Sequence, residues 1–305
     1  LSAEDVLMGW IAEQVLYGLA RTFYRTEVAH SGTMKAATTN TDAFRDFRSG
    51  EVRRVLDAIG RYKIEIQGRD VLDLGCNDGV LTSQYQTLGP RSLVGVDIDA
   101  GAIERAKRTF PDSGVDFRLS GVDRLPLEDD SVDTVLCFDV FEHVSKPSRI
   151  LAECRRVLRP GGRMLIGTWG WKHPFAPHLW ATMPVPWAHV VFGERTMLRT
   201  CRRVYQASWY RPTLFDIDAK GQRRPDRYQH EAISTDYLNK YLIRDFERVF
   251  ATCGMMHEMH LLPFGSKVAR WSKALLGIPF LREYLAGFLW AVLTKPASVS
   301  PACSA

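Results

Sequence analysis

The sequence predicts an α/β fold, an open and mainly parallel sheet covered by helices on both faces, and three observations predict it. The apolar run Val71, Leu72, Asp73 and Leu74 passes into the turn Gly75, Cys76, Asn77, Asp78 and Gly79 and continues as a helical segment from Val80. Strand, glycine turn and helix in that order open a nucleotide-binding sheet. A second apolar run, residues 92–99, carries the acid Asp97 about 20 residues after the turn, the separation at which a carboxylate can hold ribose hydroxyls. Further runs at 115–120 and 131–138 and the segment ending at 163–166 are rich in Val, Leu and Ile, as in parallel strands buried on both faces. Helical segments at 100–110 and from Pro147 alternate with them.

The turn discriminates between ligands. A dinucleotide fingerprint closes three glycines on a pyrophosphate. Here Asn77 stands where the middle glycine would be, and Asp73 and Asp78 place negative charge where the pyrophosphate would sit. Such a turn suits a cationic ligand, because an ammonium and a sulfonium are both positive. Of the two acids that follow the second strand, Asp97 is assigned to the ribose, and Asp99 to capping the helix that begins with Ala100.

The spacing of Asp73, Gly75, Asn77 and Gly79 resembles the first motif of class I S-adenosylmethionine-dependent methyltransferases. Three later segments extend the resemblance. Asp123, within 121–126, matches the acid that accepts a hydrogen bond from the adenine amino group in that family. Phe138-Asp139-Val140-Phe141-Glu142-His143-Val144 resembles the fourth motif of the subgroup that includes the ubiquinone and menaquinone biosynthesis enzymes, and residues 156–166 match the helix, turn and fifth strand. The resemblance implies a Rossmann-like seven-stranded sheet with a C-terminal reversed hairpin, with S-adenosyl-L-methionine as methyl donor. Its cofactor-binding residues are then Asp73, Gly75, Asn77, Gly79, Asp97, Ile98, Asp123 and Phe138. The expected reaction is O-methylation of a small molecule, such as a hydroxylated natural product, a sugar or a quinone-like phenol. C- or N-methylation of a small or lipidic acceptor and a non-catalytic binding protein of this fold are the alternatives. His143, at the mouth of the fourth strand, is either the base for an acceptor hydroxyl or a residue that pins its loop. No metal is expected, because no carboxylate set resembles the divalent-cation site of catechol-type enzymes.

The domain reading is an N-terminal helical segment at 1–63, the cofactor core at 64–168, a lid at 169–231, a closing helix and hairpin at 232–295, and a disordered tail at 296–305. The lid is longer than a simple connection and holds Trp171, Trp180, Trp187, Trp209, Tyr205, Tyr210 and Tyr228, three histidines (His173, His178 and His189), and arginines from Arg195 to Arg227. Its aromatics either stack on an acceptor or pack on one another. Its arginines either meet an anionic acceptor or form a solvated face. Ser234 and Thr235 read as the cap of the following helix. Apolar positions from Val6 to Leu19 and from Val268 to Leu281 could pack on the domain, on a second copy or on a membrane surface.

Composition limits the classes further. The chain has 305 residues, is 46% hydrophobic and carries a formal charge of +5, enough for one large core with an elaboration. Its six cysteines lack metal-like spacing and read as reduced thiols. No secretory leader pattern opens the chain, so a cytoplasmic location is expected. No nucleic-acid-reading module is recognisable, so no nucleic-acid partner is expected.

Overall fold

The computed structural model describes residues 3–26, 41–213, 216–218, 221–226, 228–264 and 273–297. Parts of several expectations lie outside the described residues: 27–40 of the N-terminal segment, Lys220 and Arg227 of the lid, Val268 and Trp271 of the apolar insert, and 298–305 of the tail. The chain divides into two compact units, residues 1–53 with 171–235, and 54–170 with 236–305.

The second unit is the predicted α/β fold. Helix α1 (Ala3–Thr26) belongs to the first unit, and of α2 (Thr41–Arg61) the part from Arg54 onward belongs to the second. There follow β1 (Asp70–Leu74), α3 (Val80–Tyr85), β2 (Ser92–Asp97), α4 (Ala100–Thr109), β3 (Val115–Leu119), β4 (Val132–Phe138), α5 (Pro147–Val157) and β5 (Leu158–Thr168). The seven-stranded sheet has the order β3-β2-β1-β4-β5-β7-β6, where β6 is Met256–Pro263 and β7 is Ala286–Thr294. Strands β1 to β5 are parallel, and β7 enters antiparallel between β5 and β6. The sheet thus has the reversed hairpin expected from the sequence. Its order turns back at β1 and β4, the position where open α/β sheets bind ligands beyond the strand ends.

Alternation along the strands divides the core into two layers. Leu72, Leu74, Val135, Cys137, Met164 and Ile166, with Leu289, Ala291 and Leu293 of β7, face α5 and α8 (Ile243–Thr252), which contribute Ile150, Leu151, Phe246 and Phe250. Val71, Leu93, Leu136, Phe138, Leu165, Trp290 and Val292 face α2 with Val55, Ala58 and Ile59.

The closing helix departs from expectation. It begins at Ile243 with Leu242 at its N-cap, not at Ser234 and Thr235. The side chain of Glu283, buried in α9 (Pro279–Leu285), accepts the amides of Ile243 at 2.8 Å and Arg244 at 3.1 Å, and Asp245 accepts that of Leu242 at 3.0 Å. A cap supplied from another helix leaves no local signature for sequence to read.

The first unit is helical. Leu16, Ala20 and Tyr24 of α1 are buried, and α1 packs along α7 (Gly193–Gln206), which follows the short α6 (Ala188–Val191). Arg203 bridges to Glu13 at 3.0 Å and lies over the Tyr17 ring, and the Tyr24 hydroxyl accepts the amide of Arg211 at 3.0 Å. None of the described helices is long and apolar enough to cross a membrane.

Replacing Glu283 by alanine leaves two helix-terminal amides without their acceptor in a buried setting. Chemical denaturation should show a loss of about 2–4 kcal/mol.

Candidate cofactor site

Beyond the ends of β1 and β2, backbone conformation and side-chain size decide the geometry. Gly75 has φ 80°, and a Cβ there would stand 2.2 Å from Cγ2 of Val140; Gly79 has φ 77°, and its Cβ would stand 2.7 Å from the Phe117 ring. Both positions therefore exclude a side chain. Asn77 takes φ 47°, a left-handed conformation that asparagine tolerates better than most residues. The amides of Gly75 and Cys76 donate to the Val96 carbonyl at 2.8 and 3.0 Å, and that of Gly79 to Cys76 at 2.9 Å.

Asp97 fastens this turn to β2. One carboxylate oxygen accepts the Asn77 amide at 2.9 Å and the other accepts the Asp99 amide at 2.9 Å. Since each oxygen has two lone pairs, the group retains acceptor capacity for a diol. Asp99 caps α4 as the sequence predicts, accepting the Gly101 amide at 2.8 Å. Ile98, between the two acids, is 65% exposed.

Asp73 lies beneath the turn. It is buried, accepts the Thr82 hydroxyl at 2.5 Å, and burial pushes its pKa up to about 7. Asp123 is exposed and pairs with Arg149 at 3.0 Å, an arrangement in water that costs little to exchange for another partner. Phe138 differs from the others: its ring is buried in the core, 5.5 Å from that of Trp290 and 6.4 Å from that of Tyr85.

His143 ends the short 3-10 turn Phe141–His143 after β4. Its Nδ1 lies 2.6 Å from the Tyr237 carbonyl oxygen. A carbonyl only accepts, so Nδ1 carries the proton and the neutral ring has its lone pair on Nε2. Burial lowers the pKa, against the opposing pull of the Tyr237 carbonyl and Asp139. Glu142, also buried, accepts the Thr168 hydroxyl at 2.7 Å, and burial raises its pKa.

Two residues that hold this loop had no signal in the sequence. Asn239 donates from Nδ2 to the carbonyls of Phe141 at 2.6 Å and Val144 at 2.9 Å, while its amide donates to Glu142 at 2.8 Å. Arg54 of α2 reaches Asp139 at 3.2 Å and lies over the Phe288 ring. Asparagine and arginine at such distances in sequence match no motif.

His173 and His189, and most of the described arginines of 171–235, are engaged within that unit. His189 donates from Nε2 to the Trp171 carbonyl at 2.7 Å, and His173 accepts the Phe175 amide at 3.1 Å. Arg195 and Arg199 pair with Glu231, Arg202 pairs with Asp226, and Arg223 lies over Tyr205. Tyr205, Tyr210 and Tyr228 are buried.

The donor set suits S-adenosylmethionine: a glycine turn that excludes Cβ atoms, a carboxyl group for a cation, and a second with capacity for a diol. Gly75→Ala should destabilise the fold by about 2–4 kcal/mol through positive φ and the clash with Val140, read by thermal and chemical denaturation. Pairing it with Val140→Ala, which removes the clashing methyls, should recover part of that loss.

Comparison with known proteins agrees with this geometry. A family model described as a methyltransferase domain matches residues 72–166. An uncharacterised methyltransferase of Mycobacterium avium is 30% identical over 229 residues, 74% of this chain and 77% of that protein. A probable S-adenosylmethionine-dependent methyltransferase of Mycolicibacterium smegmatis is 39% identical over 101 residues, 33% of this chain and 38% of its own length. A ubiquinone biosynthesis O-methyltransferase of Xanthomonas euvesicatoria is 34% identical over 109 residues, 35% of this chain and 45% of its own length. With the last two, the match spans less than half of the relative. On the sheet order, the glycine turn and the match along most of the Mycobacterium avium protein, the chain belongs to the class I S-adenosylmethionine-dependent methyltransferases.

Proposed function

We propose that the protein transfers a methyl group to an oxygen of a small hydroxylated molecule, a natural product, sugar or quinone-like phenol, with His143 as the base. The observation that carries this reading is the hydrogen bond from His143 Nδ1 to Tyr237, which fixes the neutral tautomer with its basic lone pair on Nε2. A pKa lowered by burial keeps that ring neutral near pH 7. S-adenosylmethionine, when bound, supplies a methyl group on a sulfonium that departs as a neutral thioether. Nε2 takes the acceptor's hydroxyl proton as its oxygen becomes bonded to carbon.

The remaining roles follow from charge and shape. Asp73 holds the cationic amino-acid end, Asp97 the ribose diol and Asp123 the adenine amino group. Gly75, Asn77 and Gly79 give the backbone room to approach, while Ile98 offers an apolar face and Phe138 supports the floor from the core. Acceptor recognition is assigned to residues 169–231. The core clusters of the second unit draw only on residues of 54–170 and 236–305, which supports cofactor binding by that unit alone.

A second reading has its own support. Asn239 and Thr168 hold the Glu142–His143 turn from two directions, so His143 can serve as a positioning residue, with rate enhancement from alignment alone. The pH profile separates the two. With His143 as base, the acceptor-saturated rate falls as pH drops through a pKa below the usual histidine value, and His143→Ala loses this acid limb together with about 10² to 10⁴ of the rate. An alanine variant that retains the limb assigns His143 to positioning.

Two binding measurements test the cofactor assignment. Asp97→Ala should weaken S-adenosylhomocysteine by about a hundredfold, roughly 3 kcal/mol, with circular dichroism unchanged; equal affinity would remove Asp97 from the site. A protein of residues 54–170 joined by a flexible linker to 236–297 should bind S-adenosylhomocysteine within about threefold of the full chain and lack acceptor turnover. Full turnover by that shortened protein would contradict the assignment of the acceptor to 169–231.

A further inference from the structure

A groove of about 770 Å³ lies on the α2 face of the sheet and is lined by Arg61, Tyr62, Lys63, Arg163, Glu258 and His260, among others. It is remote from the strand ends that form the cofactor site. Arg163 is the middle residue of β5, whose C-terminal end is Thr168, about 16 Å further along the strand at about 3.3 Å per residue.

Charge is what distinguishes the groove. Arg163 donates to the Lys63 carbonyl at 2.8 Å. None of the three cations forms an ion pair with a carboxylate among the described residues. The lining carboxylate, Glu258, stands 3.8 Å from His260, and the neighbouring Glu65 pairs with Arg69. Arg61 complements the C-terminal end of α2, where a cation is favoured. That accounts for one charge and not for Lys63 or Arg163. The Tyr62 ring stacks on His260 with centroids 4.7 Å apart, which fixes one wall and holds the turn at Lys63, whose φ is 52°. Several other arginines of this unit meet acids: Arg91 and Arg159 with Asp70 and Asp133, and Arg156 with Glu153 and Asp129. Three cations without a carboxylate partner among the described residues thus line one groove, against the single lining carboxylate Glu258.

We propose that this groove binds a phosphate-bearing anion, with Arg61, Lys63 and Arg163 as its ligands. Guanidinium groups match phosphate oxygens in pairs, and the ammonium adds a point charge. Because the cations are exposed or half-buried, binding weakens as salt rises.

The test is calorimetric titration of the full chain with inorganic pyrophosphate at low ionic strength, with sedimentation of phosphatidylglycerol vesicles as a second arm. Binding of pyrophosphate assigns the groove to soluble phosphates, and binding of vesicles alone assigns it to lipid headgroups. In either case the Arg61→Gln/Lys63→Gln double variant should bind at least tenfold more weakly with an unchanged melting temperature. An unchanged affinity in the double variant, or no binding in both arms, overturns the proposal. If the double variant melts early, each single variant is measured instead, and affinity that is unchanged in both overturns it equally.

Discussion

The site depends on one carboxyl group taken out of water. Asp73 near the end of β1 is buried under the glycine turn, with the Thr82 hydroxyl as its hydrogen-bond partner and Asp97 as a neighbouring negative charge. Both burial and that neighbour favour the protonated form, while the hydroxyl favours the charged one. On the proposed reading, a cationic ligand above the turn adds an opposite charge. The turn itself must then approach closely, which accounts for Gly75 against Val140 and Gly79 against Phe117. Asp97 completes the arrangement by holding the amides on either side, at Asn77 and Asp99.

Much of this was legible in the sequence because it is local. The strand, turn and helix around Gly75 are contiguous, and the Asp99 cap reaches only as far as Gly101. Strands β1, β2 and β4 and the later part of β5 announce themselves as apolar runs, β3 at the sheet edge alternates apolar and charged residues, and the closing hairpin follows the family pattern. What stayed hidden joins distant segments. Asn239 meets Phe141, Arg54 meets Asp139, and Glu283 caps the helix at Ile243. Ser234 and Thr235 have the chemistry of a cap, yet the helix starts at Ile243, where a buried carboxylate from α9 satisfies its amides.

For the 171–235 segment, composition left two readings open, contact with an acceptor and packing within the unit. Its aromatics and arginines suggest an acceptor surface, but Tyr205, Tyr210 and Tyr228 are buried, and Arg195, Arg199, Arg202 and Arg203 form ion pairs inside the unit. An arginine with a partner contributes order more than recognition.

Proton exchange on ligand binding tests the account most directly. Asp73, with its pKa raised to about 7, is partly protonated in the free protein near neutral pH, and the ammonium of S-adenosylhomocysteine draws it to the carboxylate form. Calorimetry of S-adenosylhomocysteine binding at about pH 7, near that raised pKa, repeated in buffers of different ionisation enthalpy, should show net proton release, with the Asp73→Asn variant releasing none. Binding without proton release in the wild-type protein, or equal release in the variant, would contradict the placement of the cationic end of the ligand at Asp73.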